Sequence, residues 1–125
     1  MLYDEATRSD LLFVTLEKSE KEYSATTRYD DYPISPMEFH WESQSVTRAD
    51  SPTGRRYVNH EREGSHVLLF VRQRKKDGRG EMMPYRFLGP VTYSRHEGER
   101  PMRIVWRLRH AMPAELFQEA KVVAG

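Results

Sequence analysis

The residues with the clearest chemical potential in this chain are arginines. In residues 102–109, MRIVWRLR, the positions alternate in kind. Met102, Ile104, Trp106 and Leu108 fall on one side of an extended strand, and Arg103, Val105, Arg107 and Arg109 fall on the other. The first set needs a core. The second presents three guanidinium groups, planar forks that match phosphate oxygens or a guanine edge. More cations stand in RQRKKDGRGE (Arg72, Arg74, Lys75, Lys76, Arg79) and in GRRYVNH (Arg55, Arg56). Phosphate contacts position a protein without reading bases, so a reader also needs rings to stack and amides to bond. Trp41, which can pack in the core or line a pocket, is with Ser43 and Gln44 of FHWESQ the candidate for such a pocket, with Tyr29, Tyr57 and His60 beside it. There an extruded base would stack on an aromatic and bond to the amide of Gln44. Trp106 belongs to the core, and Tyr85 and Tyr93 to its edge.

Catalytic and metal chemistry find little to work with. There is no cysteine, which removes disulfides, zinc thiolates and cysteine nucleophiles. The five histidines, at 40, 60, 66, 96 and 110, make no chelating pair at i, i+2 or i, i+4. No P-loop, dinucleotide fingerprint or nucleophile elbow is present. Asn59-His60 and Glu119-Ala-Lys121 resemble fragments of nuclease motifs but lack the other ligands those motifs require. No catalytic residue, cofactor or metal is therefore assigned.

The charge distribution agrees with binding. The net charge is only +1, but residues 1–50 hold 5 Lys/Arg against 11 Asp/Glu, and residues 51–125 hold 15 against 8. Twelve of those 15 cations are arginine. A basic half suits a polyanion; the split also suits docking between protein domains. The N-terminus lacks an apolar signal core and no run approaches a membrane span, so a cytoplasmic location with no membrane partner is expected.

The elements that must position these residues are mostly strands. Residues 10–18 and His66–Arg72 are apolar on both sides, as strands inside a sheet would be. Residues 85–93 form a strand interrupted by Gly89-Pro90, a signal for a bulge or an edge. Residues 1–9 read as a linker or the cut edge of a larger protein, and 19–32 as a polar loop. Ser35-Pro36, with Glu38 as a capping box, can open a helical turn. FHWESQ can continue that turn or form a strand with Phe39, Trp41 and Ser43 on one face. Ser51-Pro52 starts a short helix or an extended arm that Gly64 ends. The loop around Asp77-Gly78 is expected to be mobile, and a short helix with Pro113 near its first turn closes the chain. The fold expected is a single α+β, β-rich domain over 10–125, a curled antiparallel sheet or partly open β-barrel with short flanking helices.

The succession TRYDDYPISPMEFHWESQSVT, GRRY, HVLLFVRQRKKDG, PYRFLGPVTYSRHEGERPMRIVWRL and MPAEL resembles the bacterial family catalogued as domain of unknown function 3427. Its most distinctive pieces are FHWESQ, Tyr85-x-Phe-Leu-Gly89 and His96-Glu-Gly-x-x-Pro-Met102. The resemblance implies a domain at the C-terminus of a superfamily II helicase with a phospholipase-D-like nuclease domain, in a restriction or phage-defence protein. Helicase and nuclease domains of the parent chain would be its partners, and DNA, including modified DNA, its ligand. By analogy of setting, the barrel would be of the PUA/SRA kind. A non-catalytic DNA-binding domain is thus the leading expectation, and a regulatory module that docks on its own helicase the alternative.

Overall fold

The computed structural model describes residues 2–17, 31–44 and 46–124. Seven strands and two helices follow in the order β1 (Leu2–Asp4), β2 (Ser9–Thr15), β3 (Tyr32–Ser35), β4 (Glu38–Glu42), α1 (Pro52–Glu63), β5 (His66–Arg72), β6 (Arg86–Glu97), β7 (Arg103–Leu108) and α2 (Ala114–Ala124). They form one sheet ordered β1-β2-β5-β6-β7-β4-β3. The α+β, β-rich expectation holds. The sheet is mixed, because β2 and β5 run parallel, and it is open, with β1 and β3 at the two ends of the strand order. It does not close into a barrel.

The parallel pair has a local cause. Helix α1 carries the chain back across the sheet, so β5 enters beside β2 in the same direction, as a crossover connection requires. Ser51 caps α1, accepting a bond from Gly54 N–H at 3.1 Å, and Pro52 occupies its first turn, where no donor is missed. Gly64 ends it at φ 74°, a left-handed conformation that costs glycine little. The extended-arm alternative for this segment is thereby closed.

Three sequence readings change. Leu2–Asp4 is not linker but an edge strand paired antiparallel with β2. Ser35-Pro36 opens no helix: Pro36-Met37 is the tight turn between β3 and β4, and Ser35 Oγ accepts from Met37 N–H. FHWESQ is accordingly a strand. The basic loop after β5 is organised. Asp77 Oδ1 accepts from the N–H groups of Arg79 (2.8 Å) and Glu81 (3.0 Å), and Lys76 bridges to Met82. The polar loop read over 19–32 lies outside the described residues up to residue 30. The bulge expected at Gly89 is present: the β5–β6 register shifts there, and Gly89 has φ 97°.

Both helices cover the same face of the sheet. Leu12, Val14, Val67, Leu69, Val91, Ile104, Trp106, Leu108, Phe39 and Trp41 point into it, with Tyr57 from α1 and Ala120 from α2. No helix among the described residues lies over the other face. Among the described residues, no helix is long and apolar enough to cross a membrane.

Candidate nucleic-acid interface

The expected recognition pocket around FHWESQ does not form. Trp41 is 5% exposed, edge-on to Tyr57 (5.3 Å between ring centres) and tilted against Trp106. Period-two alternation puts it on the helix-covered face, so it packs the core and offers no face to a base. Ser43 is buried and ties β4 to β7: its N–H donates to Met102 C=O (2.9 Å) and its Oγ accepts from Met102 N–H (2.8 Å). Gln44 is exposed, without the ring expected beside it. Tyr29 lies outside the described residues. Tyr57 is fully buried, and burial pushes its hydroxyl pKa up.

His60 is also interior. Its Nε2 accepts from Tyr93 N–H at 3.0 Å, which joins α1 to β6, and its ring tilts against Trp106. Accepting that bond requires neutral imidazole, and burial lowers its pKa from the ordinary 6.5. The unfolded chain then takes up a proton below about pH 6.5 that the folded chain resists. This stabilising contribution is complete above that pH and is lost as pH falls below it. The midpoint of urea unfolding should therefore drop between pH 7 and pH 5.5. In His60→Gln, whose side-chain carbonyl can accept the same bond without titrating, the drop should shrink.

Several arginines named as phosphate contacts have intramolecular roles. Arg56 makes a two-pronged ion pair with buried Asp10 (2.7 and 2.9 Å) and stands 4.0 Å over the Tyr3 ring. Arg72 donates to Thr15 Oγ1 (2.9 Å) and Met83 C=O, and covers the Tyr85 ring at 4.3 Å. Arg74 pairs with Glu17 at 3.0 Å, and Arg79 lies 3.9 Å from Asp77. Lys75 and Lys76 are exposed on the same loop, and Arg55 is exposed on α1 beside the engaged Arg56.

Of the arginines at β7, Arg103 and Arg107 reach the open face. Arg103, Arg107 and Arg109 are exposed, and no described residue accepts a hydrogen bond from their guanidinium groups. They are not a pure cationic row, however. Arg107 stands in register with Glu38 and Arg103 with Glu42 on β4, and Arg95 lies 3.6 Å from Glu38. Cross-strand pairs of opposite charge offset part of the local potential. Arg109 lies past the end of the strand, on a cleft of about 220 Å³ shared with His60, His66 and Thr92.

One feature of this face was not anticipated. Phe13 on β2, Phe70 on β5 and Phe87 on β6 are register partners, and their rings form a row 5.0 and 4.9 Å apart. Tyr85 closes it edge-on to Phe13 at 5.2 Å. Phe13 is 39% and Phe87 54% exposed. The signal was present in the alternation of DLLFVT and HVLLFVR. Apolar residues on both sides of a strand suggest that both faces are covered, but the described helices cover only one.

A family model described as domain of unknown function (DUF3427) matches residues 1–120. The chain belongs to that family. No curated protein matches it.

In this DUF3427 domain the open face therefore divides in two. Aromatic rings occupy the end formed by β2, β5 and the start of β6. Arginines interleaved with glutamates occupy the end formed by β4, β7 and the rest of β6. The segment from the end of β5 to the start of β6, residues 72–86, carries six cations against two carboxylates and borders the aromatic end. Planar apolar groups beside cations can bind a ligand that is itself both planar and anionic.

Proposed function

We propose that this chain is a non-catalytic nucleic-acid-binding module, with DNA as its ligand, that serves a bacterial helicase/nuclease protein of the restriction or phage-defence kind. The observation that carries the reading is the open face itself: exposed aromatic rings border the 72–86 segment, of net charge +4, and at the far end stand arginines from which no described residue accepts a hydrogen bond. Cations supply the salt-dependent attraction to phosphates, and rings supply contacts to bases. The parent helicase and nuclease rest on the family resemblance alone, and the reading of modified DNA has lost its pocket at Trp41.

Fluorescence anisotropy with labelled DNA tests this. Three neutralised phosphates should weaken binding on the order of 20-fold to 40-fold when salt rises from about 50 to about 200 mM. Replacing Arg103, Arg107 and Arg109 together by alanine should flatten that dependence and weaken all sequences alike. Absence of binding at the lower salt would remove the proposal. A docking role on the parent helicase is the second reading, and the phenylalanine row favours it, since exposed apolar surface of this kind often marks a protein interface.

A further inference from the structure

The phenylalanine row ends in a groove. Phe13, Phe70 and Phe87 cannot lie flat on the sheet, because coplanar rings would collide at centre-to-centre distances of 5.0 and 4.9 Å. Their interplanar angles of 23° and 32° show them standing side by side, each largely facing the next. Phe70 covers one face of Phe87. The other face is turned away from the row, and Phe87 is the most exposed of the three phenylalanines. β6 runs past the end of β7 here, because Leu108 already pairs with Val91, and the chain between β7 and α2 passes alongside instead. Between them lies a groove of about 350 Å³, lined by Phe87, Arg86, Gly89, His110, Met112 and Pro113 among others. Gly89 keeps it open, since a Cβ there would stand 3.3 Å from the His110 ring.

We infer that this groove receives one unpaired base of a nucleic-acid strand, stacked on the free face of Phe87 as the next member of the row. The inference rests on the nucleic-acid-binding reading and makes it specific to unpaired strands. The groove has the size of a small-ligand site, in the range of roughly 300–1,000 Å³. It contains no carboxylate, and two groups that can bond a base edge or a phosphate, Arg86 and His110, share its wall. No described residue accepts a hydrogen bond from the guanidinium of Arg86. The basic 72–86 segment argues against a second copy of this chain as the occupant, because a self-complementary contact would bring its net positive charge against itself. A base inside a duplex has both faces stacked and cannot insert.

The experiment uses the whole chain, with 12-nucleotide deoxythymidine and uridine strands and a mixed-sequence DNA duplex as probes. Phe87→Ala should weaken binding of the tighter single strand about tenfold, the scale of one lost stacking contact. Phe87→Leu should weaken it similarly, Phe87→Tyr should leave it intact, and duplex affinity should not change. The position is on the surface, and matched melting temperatures establish that the variants fold. The relative affinity of the two strands shows whether DNA or RNA is the source of the base. If the parent chain binds strands but Phe87→Ala or Phe87→Leu binds them equally well, the groove is not a base site, and the general reading survives. Failure of the parent chain to bind any probe at low salt overturns both.

Discussion

Arg56→Ala should destabilise the fold by about 3–5 kcal/mol, the usual penalty for leaving one member of a buried ion pair without its partner. The Asp10 side chain is completely buried on the helix-covered face of β2, where Arg56 meets both of its oxygens, from Nε at 2.7 Å and from the terminal nitrogen at 2.9 Å. The pair joins the second strand to the first helix, and the guanidinium also caps the Tyr3 ring of the edge strand. Without the arginine, a carboxylate would have to remain ionised in the interior or take up a proton. Arg56→Lys should recover only part of the loss, because an ammonium cannot reproduce the planar two-pronged contact. Asp10→Ala combined with Arg56→Ala should be milder than Arg56→Ala alone, since no charge is stranded. Arg55→Ala, one residue away but exposed, should change stability by less than about 0.5 kcal/mol. Urea unfolding of the four variants tests the set; equal behaviour of the two arginines would show that the ion pair contributes nothing.

That contrast marks the boundary of what could be read in the sequence. Periodicity located the strands well: His66–Arg72 is β5 as expected, and residues 102–109 bracket β7. Ser51, Pro52 and Gly64 delimit α1 because capping is local chemistry. The open face was also correct for Arg103 and Arg107. Distant pairing decides what was missed. Nothing near Arg56 distinguishes it from Arg55; Asp10, 46 positions away, does. The sequence lets Trp41 line a pocket or join the core, and Tyr57 and Trp106 meeting it across three elements decide for the core. The apolar alternation of β2 and β5 says that both sides are hydrophobic, yet the placement of the helices decides which side stays open. A three-residue edge strand such as Leu2–Asp4 carries too few alternations to be seen, and its partner defines it. Asp77-Gly78 suggests a mobile loop, and the backbone bonds to Asp77 that order it are not legible in the sequence.

Gly54→Ala should cost about 3 kcal/mol, although alanine favours a helix over glycine by about 1 kcal/mol. The position lies in the first turn of α1, against the segment that leads into it. A Cβ there would stand 2.1 Å from Arg48 O and 3.0 Å from Ala49 Cα, both backbone atoms. Arg48 O cannot easily yield. It already accepts from Ser51 N–H (3.1 Å) and Ser51 Oγ–H (2.6 Å), and the same Oγ accepts from Gly54 N–H. Moving the helix instead would drag Tyr57 and His60, three and six residues on, away from Trp106 and would break the bond from Tyr93 N–H. Relief at either end thus disturbs the cap or the core. Gly78→Ala provides the comparison: nothing lies within 4 Å of its added Cβ, so the change should be neutral or slightly stabilising. A melting temperature for Gly54→Ala at or above the parent's would mean that the 48–51 turn can shift freely, and that α1 is held less tightly to the sheet than its contacts with Trp106 indicate.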